Sequence, residues 1–411
     1  MLMIEMLKKY LFKLAGWSYL FFAGAASVVV ALKGFAYAHF LSATQYAQIN
    51  YYLLILGVGV LVVGSGVIIK CHSEMPLIVD DEDQLVDFVS SVKVVGVGFW
   101  MAGLVAGGVY GVASGAPLVI FLLSFIQVLV FFVFTVDLMV VKSRKQFVEY
   151  AKRLFYRNLL IATAGLCAAF FSSDATFAVA SEVFVGLLLC IRSFVIWLKG
   201  LVFPRRAFVV DCLKFVPVTC VGAIMQYMDR IFAAYFMNVE EFSKFSYLSL
   251  VVMVGLSVQQ LINARVITLL PAVCRVSPRD GFRYVFKISI FVSLLLLCSL
   301  VPLLWLLQSR WIAAKWFEAG PGLSAAFLMC TLLRAADFYS TYLLVMAKKN
   351  ILLIIQLTMF VFFSAFSAVY GLFFSAGGVL IYMVFMCFGF FVLLMLLFFV
   401  SWRVSFVKKS S

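Results

Sequence analysis

The segment Pro117–Val141, with the sequence PLVIFLLSFIQVLVFFVFTVDLMVV, carries a single charged residue, Asp137. A helix needs about 20 apolar residues to cross the hydrocarbon core of a bilayer. The part of the segment that precedes Asp137 is long enough to do so. It predicts a transmembrane helix, and it is typical of the rest of the chain.

The composition indicates a membrane protein. Of the 411 residues, 65% are hydrophobic and 12% are charged, and the mean hydropathy is +1.14. A soluble domain is about 25% charged and at most about half apolar. The composition therefore excludes a water-soluble enzyme, a disordered chain and a secreted disulfide scaffold. It predicts an all-α polytopic membrane protein.

Apolar segments recur along the whole chain and predict about twelve transmembrane helices. Their approximate bounds are 14–38, 46–69, 92–112, 117–141, 156–172, 177–198, 213–236, 245–270, 286–308, 322–347, 350–374 and 377–401.

Basic residues are distributed unevenly among the predicted loops. With the N-terminus inside, the cytoplasmic segments hold 24 of the 32 Lys and Arg residues, whereas the external loops hold 3. Under the positive-inside rule this bias predicts cytoplasmic N- and C-termini. The formal net charge of +14 is therefore interpreted as an orientation signal. Nucleic acid is not expected as a partner.

Two halves are predicted on either side of the basic stretch Lys199–Arg206. Segments 38–51 and 234–247 align at an offset of 196 residues. The identical pairs are Ala38/Ala234, Phe40/Phe236 and Tyr51/Tyr247. We therefore expect two six-helix lobes, residues 1–204 and 205–411, around a central cavity, which is the plan of many transporters.

Ionisable side chains inside the predicted helices are the candidate functional residues. A charge at the bilayer centre costs at least ~2.5 kcal/mol unless it faces a partner or a cavity. Lys93, Arg157, Lys214 and Lys287 lie at segment ends and are counted with the cytoplasmic segments. The nine residues further inside are Lys33, Asp137, Glu182, Arg192, Asp229, Arg230, Arg265, Arg334 and Asp337. Arg334 lies near the middle of its segment, with Asp337 one helical turn further on. Arg334 and Asp337 therefore form either a buried ion pair or part of a transport pathway, and the sequence leaves both interpretations open.

The cations suit an anionic substrate, because Arg binds phosphate groups through two parallel hydrogen bonds. The candidate substrate-binding residues are Lys33, Arg192, Arg230, Arg265 and Arg334. Ion pairing and snorkelling to the membrane surface are the structural alternatives. Asp229 and Asp337 are candidates for carrying a coupling proton or sodium ion. Because no catalytic, metal-binding or ATP-binding motif occurs, we expect no enzyme activity, no cofactor and no metal.

Three segments carry a family resemblance: Lys33–Tyr46, Asp229–Met237 and Leu269–Arg275. The last is similar to a Leu-x-Pro-x-x-x-Arg ending of an eighth span. Through these segments the chain resembles the Wzx-type polysaccharide-lipid (O-antigen) flippases of the MATE-like multidrug/oligosaccharidyl-lipid/polysaccharide exporter superfamily. One departure is Ala47, where the family commonly has Gly.

The resemblance implies a flippase of the bacterial inner membrane. It would move undecaprenyl-pyrophosphate-linked oligosaccharide to the periplasmic leaflet by alternating access, for O-antigen, lipopolysaccharide or related polysaccharide biosynthesis. Lys33 and Arg230 would line its cationic cavity. Its partners would be the glycan lipid, membrane lipids, and the polymerase and chain-length proteins of the pathway. An ion-coupled multidrug antiporter, or a membrane polysaccharide polymerase or glycosyltransferase, remains an alternative.

Overall fold

A computed structural model describes residues 2–113, 117–298, 314, 321–374 and 378–406. Within these ranges the regular elements are helical, and no strand occurs. The helices are α1 (Leu2–Phe40), α2 (Ala43–Val63), α3 (Val67–Ile78), α4 (Glu82–Ala113), α5 (Leu118–Ser143), α6 (Phe147–Ser172), α7 (Ala175–Lys199), α8 (Arg206–Leu213), α9 (Val216–Phe236), α10 (Val239–Val276), α11 (Pro278–Cys298), α12 (Gly322–Val345), α13 (Lys349–Val369) and α14 (Gly378–Phe406). A π-helical turn, Tyr370–Phe374, follows α13.

The predicted all-α polytopic fold class is confirmed. Nine helices of the described ranges are long and apolar enough to cross a membrane, and α8 with α9, bent by 43°, makes a tenth. α10 and α12 have sufficient length, with 38 and 24 residues. Polar residues such as Gln259 and Arg334 lower the hydropathy of these two helices. All twelve predicted segments overlap described helices, although residues 299–308 of the ninth lie outside them.

Several boundaries differ from the prediction. α1 and α4 begin at Leu2 and Glu82, about ten residues before the predicted starts, and the segment 213–236 is divided between α8 and α9. The predicted segment 46–69 is interrupted, because α2 ends at Val63 and α3 begins at Val67. Gly66 in the break has φ of 73°, which Gly adopts without strain. A Cβ at this position would lie 2.2 Å from the Cys212 carbonyl oxygen. α6 begins at Phe147 rather than near residue 156, so it includes basic residues that were predicted to lie in a cytoplasmic loop.

The short helix α3 is tied to α8 by an ion-pair cluster outside the predicted spans. Lys70 Nζ contacts the Glu74 carboxylate and lies 3.4 Å from Asp211 Oδ2. The hydrogen bond with Glu74 raises the pKa of Lys70 above its ordinary value. Lys70 therefore stays protonated and holds the two short helices together.

The helices of the two halves recur at the offset that aligns segments 38–51 and 234–247. The boundaries that lie 196 residues apart are the ends of α1 and α9 (Phe40, Phe236), the starts of α2 and α10 (Ala43, Val239) and the starts of α4 and α11 (Glu82, Pro278). Later starts lie 202 to 204 residues apart: Leu118/Gly322, Phe147/Lys349 and Ala175/Gly378. One order of helices therefore occurs twice in the chain.

Helix capping recurs at the same offset and explains the shared starts. Ser42 and Asn238, at the starts of α2 and α10, each accept the backbone N–H three residues later, at 3.3 and 2.9 Å. Asp81 and Ser277, before α4 and α11, do the same at 3.1 and 3.3 Å. Such side chains satisfy amide groups that a helix start would leave unpaired.

Packing divides the described chain into two compact units. The N-terminal unit comprises the described residues of Met1–Lys33 and Gln48–Cys220. The C-terminal unit comprises Gly34–Ala47 and the described residues of Val221–Ser411. These units are defined by compactness, whereas the lobes 1–204 and 205–411 were predicted from a repeat and a basic stretch. That division at residue 204 stays a prediction.

Candidate functional site: buried charged clusters

A buried ion pair lies within the N-terminal unit. Lys33 Nζ of α1 donates to both carboxylate oxygens of Glu182 on α7, at 2.9 Å each. The Tyr52 hydroxyl of α2 donates to the same carboxylate at 2.8 Å. Glu182 is fully buried and Lys33 is 8% exposed. Glu182 is therefore the counter-ion of Lys33, and both residues belong to the N-terminal unit.

A second cluster in the same unit surrounds Asp137, the charge in the segment Pro117–Val141. Lys93 Nζ of α4 lies 2.8 Å from Asp137 Oδ1, and the Ser193 hydroxyl of α7 contacts Oδ2. Lys93 is buried, although its position at the end of a predicted span suggested a cytoplasmic residue. Asp137 thus joins α4, α5 and α7 through hydrogen bonds.

In the C-terminal unit, Arg334 of α12 is the largest polar side chain that is almost completely buried, at 1% exposure. Its Nη1 donates to Gln259 Oε1 of α10 at 2.9 Å and lies 3.0 Å from Asp337 Oδ2. The two helices approach closely here, because a Cβ on Gly255 would lie 2.2 Å from Cys330 Sγ. The ion pair between Arg334 and Asp337, one of the two alternatives from the sequence, is present.

Asp229 and Arg230 of α9 are also buried in the C-terminal unit. Arg230 Nη2 donates to the Ser249 carbonyl at 2.8 Å. The backbone carbonyl of Asp229 accepts from the Tyr382 hydroxyl at 2.6 Å. Among the described residues, Asp229 Oδ2 has no hydrogen-bond partner. The positive charges of Arg230 and Arg334 both act on this carboxylate.

The structure thus places four predicted site residues with described side chains in one unit. Arg230, Arg334, Asp229 and Asp337 belong to the C-terminal unit, whereas Lys33 belongs to the N-terminal unit. Arg192 is exposed on α7 between exposed apolar residues, close to the end of the helix at Lys199. This position fits snorkelling to the membrane surface.

The remaining candidate, Arg265, has a side chain that lies outside the described part of the structure. Within the described part, no group of three or more His, Cys, Asp or Glu residues could hold a metal ion. The described clusters are assemblies of hydrogen bonds and ion pairs: Lys33 and Arg334 each lie within 3.0 Å of a carboxylate, and Arg230 donates to a backbone carbonyl.

Two polar residues inside helices were missed at the sequence level: Arg157, which is partly exposed, and Gln127, which is buried. Arg157 was counted as cytoplasmic, but it lies ten residues inside α6, or about 15 Å along the axis. Gln127 lies in the apolar stretch of α5 with both amide atoms unpartnered among the described residues. Gly186 of α7 provides its space, because a Cβ there would lie 2.8 Å from Gln127 Oε1. Gln127 could have been identified from the sequence, because it is the one amide side chain in the apolar segment Pro117–Val141.

The fold matches solved transporter structures. An inward-facing multidrug resistance MATE family transporter of the MOP superfamily aligns with a TM-score of 0.62 and 13% identity, over 94% of this chain and 96% of that one. A MOP superfamily transporter from Pyrococcus furiosus, whose binding pocket is described as having reverse polarity, aligns with a TM-score of 0.57 and 15% identity, over 96% of both chains. A Vibrio cholerae MATE transporter aligns with a TM-score of 0.53 and 11% identity, over 98% of both.

No protein-family model matches the sequence, and no curated protein matches it. The chain has the fold of these MATE-type transporters. At these identities the likeness concerns the fold alone, and the substrate must be argued from the side chains.

Proposed function

We propose that this protein is a membrane transporter that works by alternating access. The proposal is supported by the MATE-type fold, which spans 94% of the chain in the alignment with the inward-facing transporter. The twofold recurrence of the helices and caps also supports it, because internal repeats underlie alternating access in many transporters. The positive-inside bias favours the bacterial inner membrane with both termini cytoplasmic.

We propose further that the substrate is a lipid-linked oligosaccharide pyrophosphate, delivered for surface polysaccharide assembly. The observation that carries this step is the pair of buried arginines, Arg230 and Arg334, in the C-terminal unit. Arg334 Nε has no hydrogen-bond partner among the described residues, so a donor is available for a phosphate oxygen. The pyrophosphate would replace Asp337 as the partner of Arg334.

Reconstitution tests this substrate. Purified protein in proteoliposomes would be supplied with a fluorescent polyprenyl-pyrophosphate saccharide, and translocation would be followed by the fraction accessible to an external quencher. We expect Arg230→Ala and Arg334→Ala each to lower the rate about tenfold or more, because each removes a charged hydrogen bond. The matched control is Arg153→Ala, since Arg153 is exposed and pairs with Glu149. Unchanged rates in both variants would contradict the proposed substrate.

An ion-coupled multidrug antiporter is the second candidate function, and the buried, unpartnered Asp229 Oδ2 favours it. A carboxylate in this state can take up a proton. In the same proteoliposomes, a cationic dye replaces the glycan lipid and a pH gradient is imposed. Gradient-driven dye transport that is lost in Asp229→Asn but retained in Arg334→Ala would select the antiporter. Glycan-lipid translocation without dye transport would select the flippase.

A further inference from the structure

Arg157 of α6 is held in an orientation that suits binding of an anion. Its guanidinium carbon lies 4.3 Å from the centre of the Phe131 ring and 4.7 Å from that of Phe134, both on α5. Its Nε and Nη2 donate to the Asn158 side-chain oxygen at 3.1 and 2.8 Å. Asn158 donates in turn to the Ala26 carbonyl of α1 at 3.3 Å. Aromatic faces and a fixed amide therefore position the guanidinium.

No carboxylate neutralises Arg157 within the described part of the chain. The buried cations Lys33, Lys93 and Arg334 each have a carboxylate within 3.0 Å. Arg157 makes no such ion pair, and Asn158 engages two of the five N–H donors that a guanidinium carries. Its side chain is partly exposed, so a ligand can reach the other donors.

An apolar groove begins about two turns beyond Arg157, on the same face of α6. The groove has a volume of about 520 Å³ and lies between α6 and α7. Ala164 and Ala168 line it from α6, and they follow Arg157 at spacings of seven and eleven residues, which share one helix face. Phe177 and Phe184 line it from α7. A charge and an apolar groove on one face match an amphiphile with a phosphate at one end.

We propose that Arg157 binds the phosphate of an anionic phospholipid, with an acyl chain lying in the groove between α6 and α7. A phospholipid is favoured over a pyrophosphate because one cation balances the single negative charge of a phosphodiester. Lys142 at the end of α5, Lys145 in the turn that follows and Lys152 on α6 lie towards the predicted cytoplasmic side, where basic residues attract anionic lipid. This lipid site is separate from the buried arginines of the proposed substrate site.

Native mass spectrometry of the purified, delipidated protein tests the lipid site. Phosphatidylglycerol, phosphatidylcholine and undecaprenyl pyrophosphate are titrated in separate arms. We expect one phosphatidylglycerol per chain to bind more tightly than phosphatidylcholine, and Arg157→Gln to weaken that binding about tenfold. Arg153→Gln is the matched control, because Arg153 lies one turn earlier on α6 and is already paired with Glu149.

A second variant keeps the test decisive if Arg157→Gln folds poorly. Ala164→Leu leaves the charge intact but partly fills the groove, and we expect it to weaken phosphatidylglycerol binding as well. Equal phosphatidylglycerol binding by the wild type, Arg157→Gln and Ala164→Leu would overturn the proposal. So would Arg157-dependent binding of undecaprenyl pyrophosphate alone, which would assign the site to the substrate. Loss of phosphatidylglycerol binding in the variants, with unchanged glycan-lipid translocation, would support the lipid site independently of the proposed function.

Discussion

The two halves of the chain share one order of helices but bury opposite charges at the same repeat position. Lys33 lies seven residues before the end of α1, and Asp229 lies seven residues before the end of α9. Lys33 takes its counter-ion from α7. Asp229 lies in the same unit as Arg230 and Arg334, and its Oδ2 has no hydrogen-bond partner among the described residues.

This difference shows which features a repeat preserves. Caps and helix boundaries depend on a few local residues and recur, as at Ser42 and Asn238. Charge partners depend on which helix packs alongside, so they differ between the halves. The N-terminal unit holds Glu182 with three hydrogen bonds, whereas the C-terminal unit leaves Asp229 Oδ2 unpartnered among the described residues. This unpartnered oxygen supports the proposal that the transported substrate is bound and released in the C-terminal unit.

The largest effect is expected in the N-terminal unit. Glu182→Ala leaves Lys33 buried without its counter-ion, so the free energy of unfolding should fall by about 3–5 kcal/mol. The double variant Lys33→Met/Glu182→Leu should recover most of that loss, because it removes both charges. Denaturant titration in detergent measures both, with Ser181→Ala as the control on the same helix. A double variant as unstable as Glu182→Ala would show that the charge pair is not the cause.

A smaller effect is expected for the ion pair of the C-terminal unit. Arg334→Ala should lower the free energy of unfolding by about 2 kcal/mol, within the range for leaving a polar partner unsatisfied. The side chain of Asp337 is 21% exposed and can gain water, whereas Glu182 is fully buried. Denaturant titration of Arg334→Ala and Glu182→Ala under the same conditions shows which variant loses more free energy of unfolding. A greater loss of stability in Arg334→Ala than in Glu182→Ala would contradict the expectation that the ion pair of the N-terminal unit contributes more to stability.

The smallest effect concerns the caps that the halves share. Ser42→Ala and Asn238→Ala should each cost about 1 kcal/mol, because each leaves a helix-start N–H without its acceptor. Thermal unfolding followed by circular dichroism in detergent measures both variants. Ser42→Asn and Asn238→Ser are the matched controls and should remain close to wild type. If only one of the alanine variants were destabilised, the caps at Ser42 and Asn238 would not be equivalent.

Much of the fold could be predicted from the sequence because spanning helices are local features. The apolar segments located the helices and the offset of 196 residues predicted their recurrence, and Ser42 and Asn238 directly precede the first residues of α2 and α10. The break at Gly66 was missed because apolar residues continue on both sides of it. Arg157 was assigned to the cytoplasmic side because residues 142–158 alternate basic and apolar side chains, a pattern typical of an amphipathic helix at the inner leaflet.

The candidate site could be predicted only in part. Depth along a helix identified Arg334 and Asp337 as a pair, since residues three apart share a helix face. Depth could not show that Arg192 is exposed or that Lys93 is buried, because burial depends on the neighbouring helices.

The sequence by itself determined that the chain is an all-α membrane protein, where its helices lie and which residues bring charge into them. These properties follow from hydropathy and from interactions within a few residues of one another. Only the tertiary structure decided how those charges are paired. Lys33 and Glu182 are separated by 149 residues, and packing of α1 against α7 makes them partners. Packing likewise leaves Arg157 without a carboxylate and Asp229 with an unpartnered oxygen among the described residues.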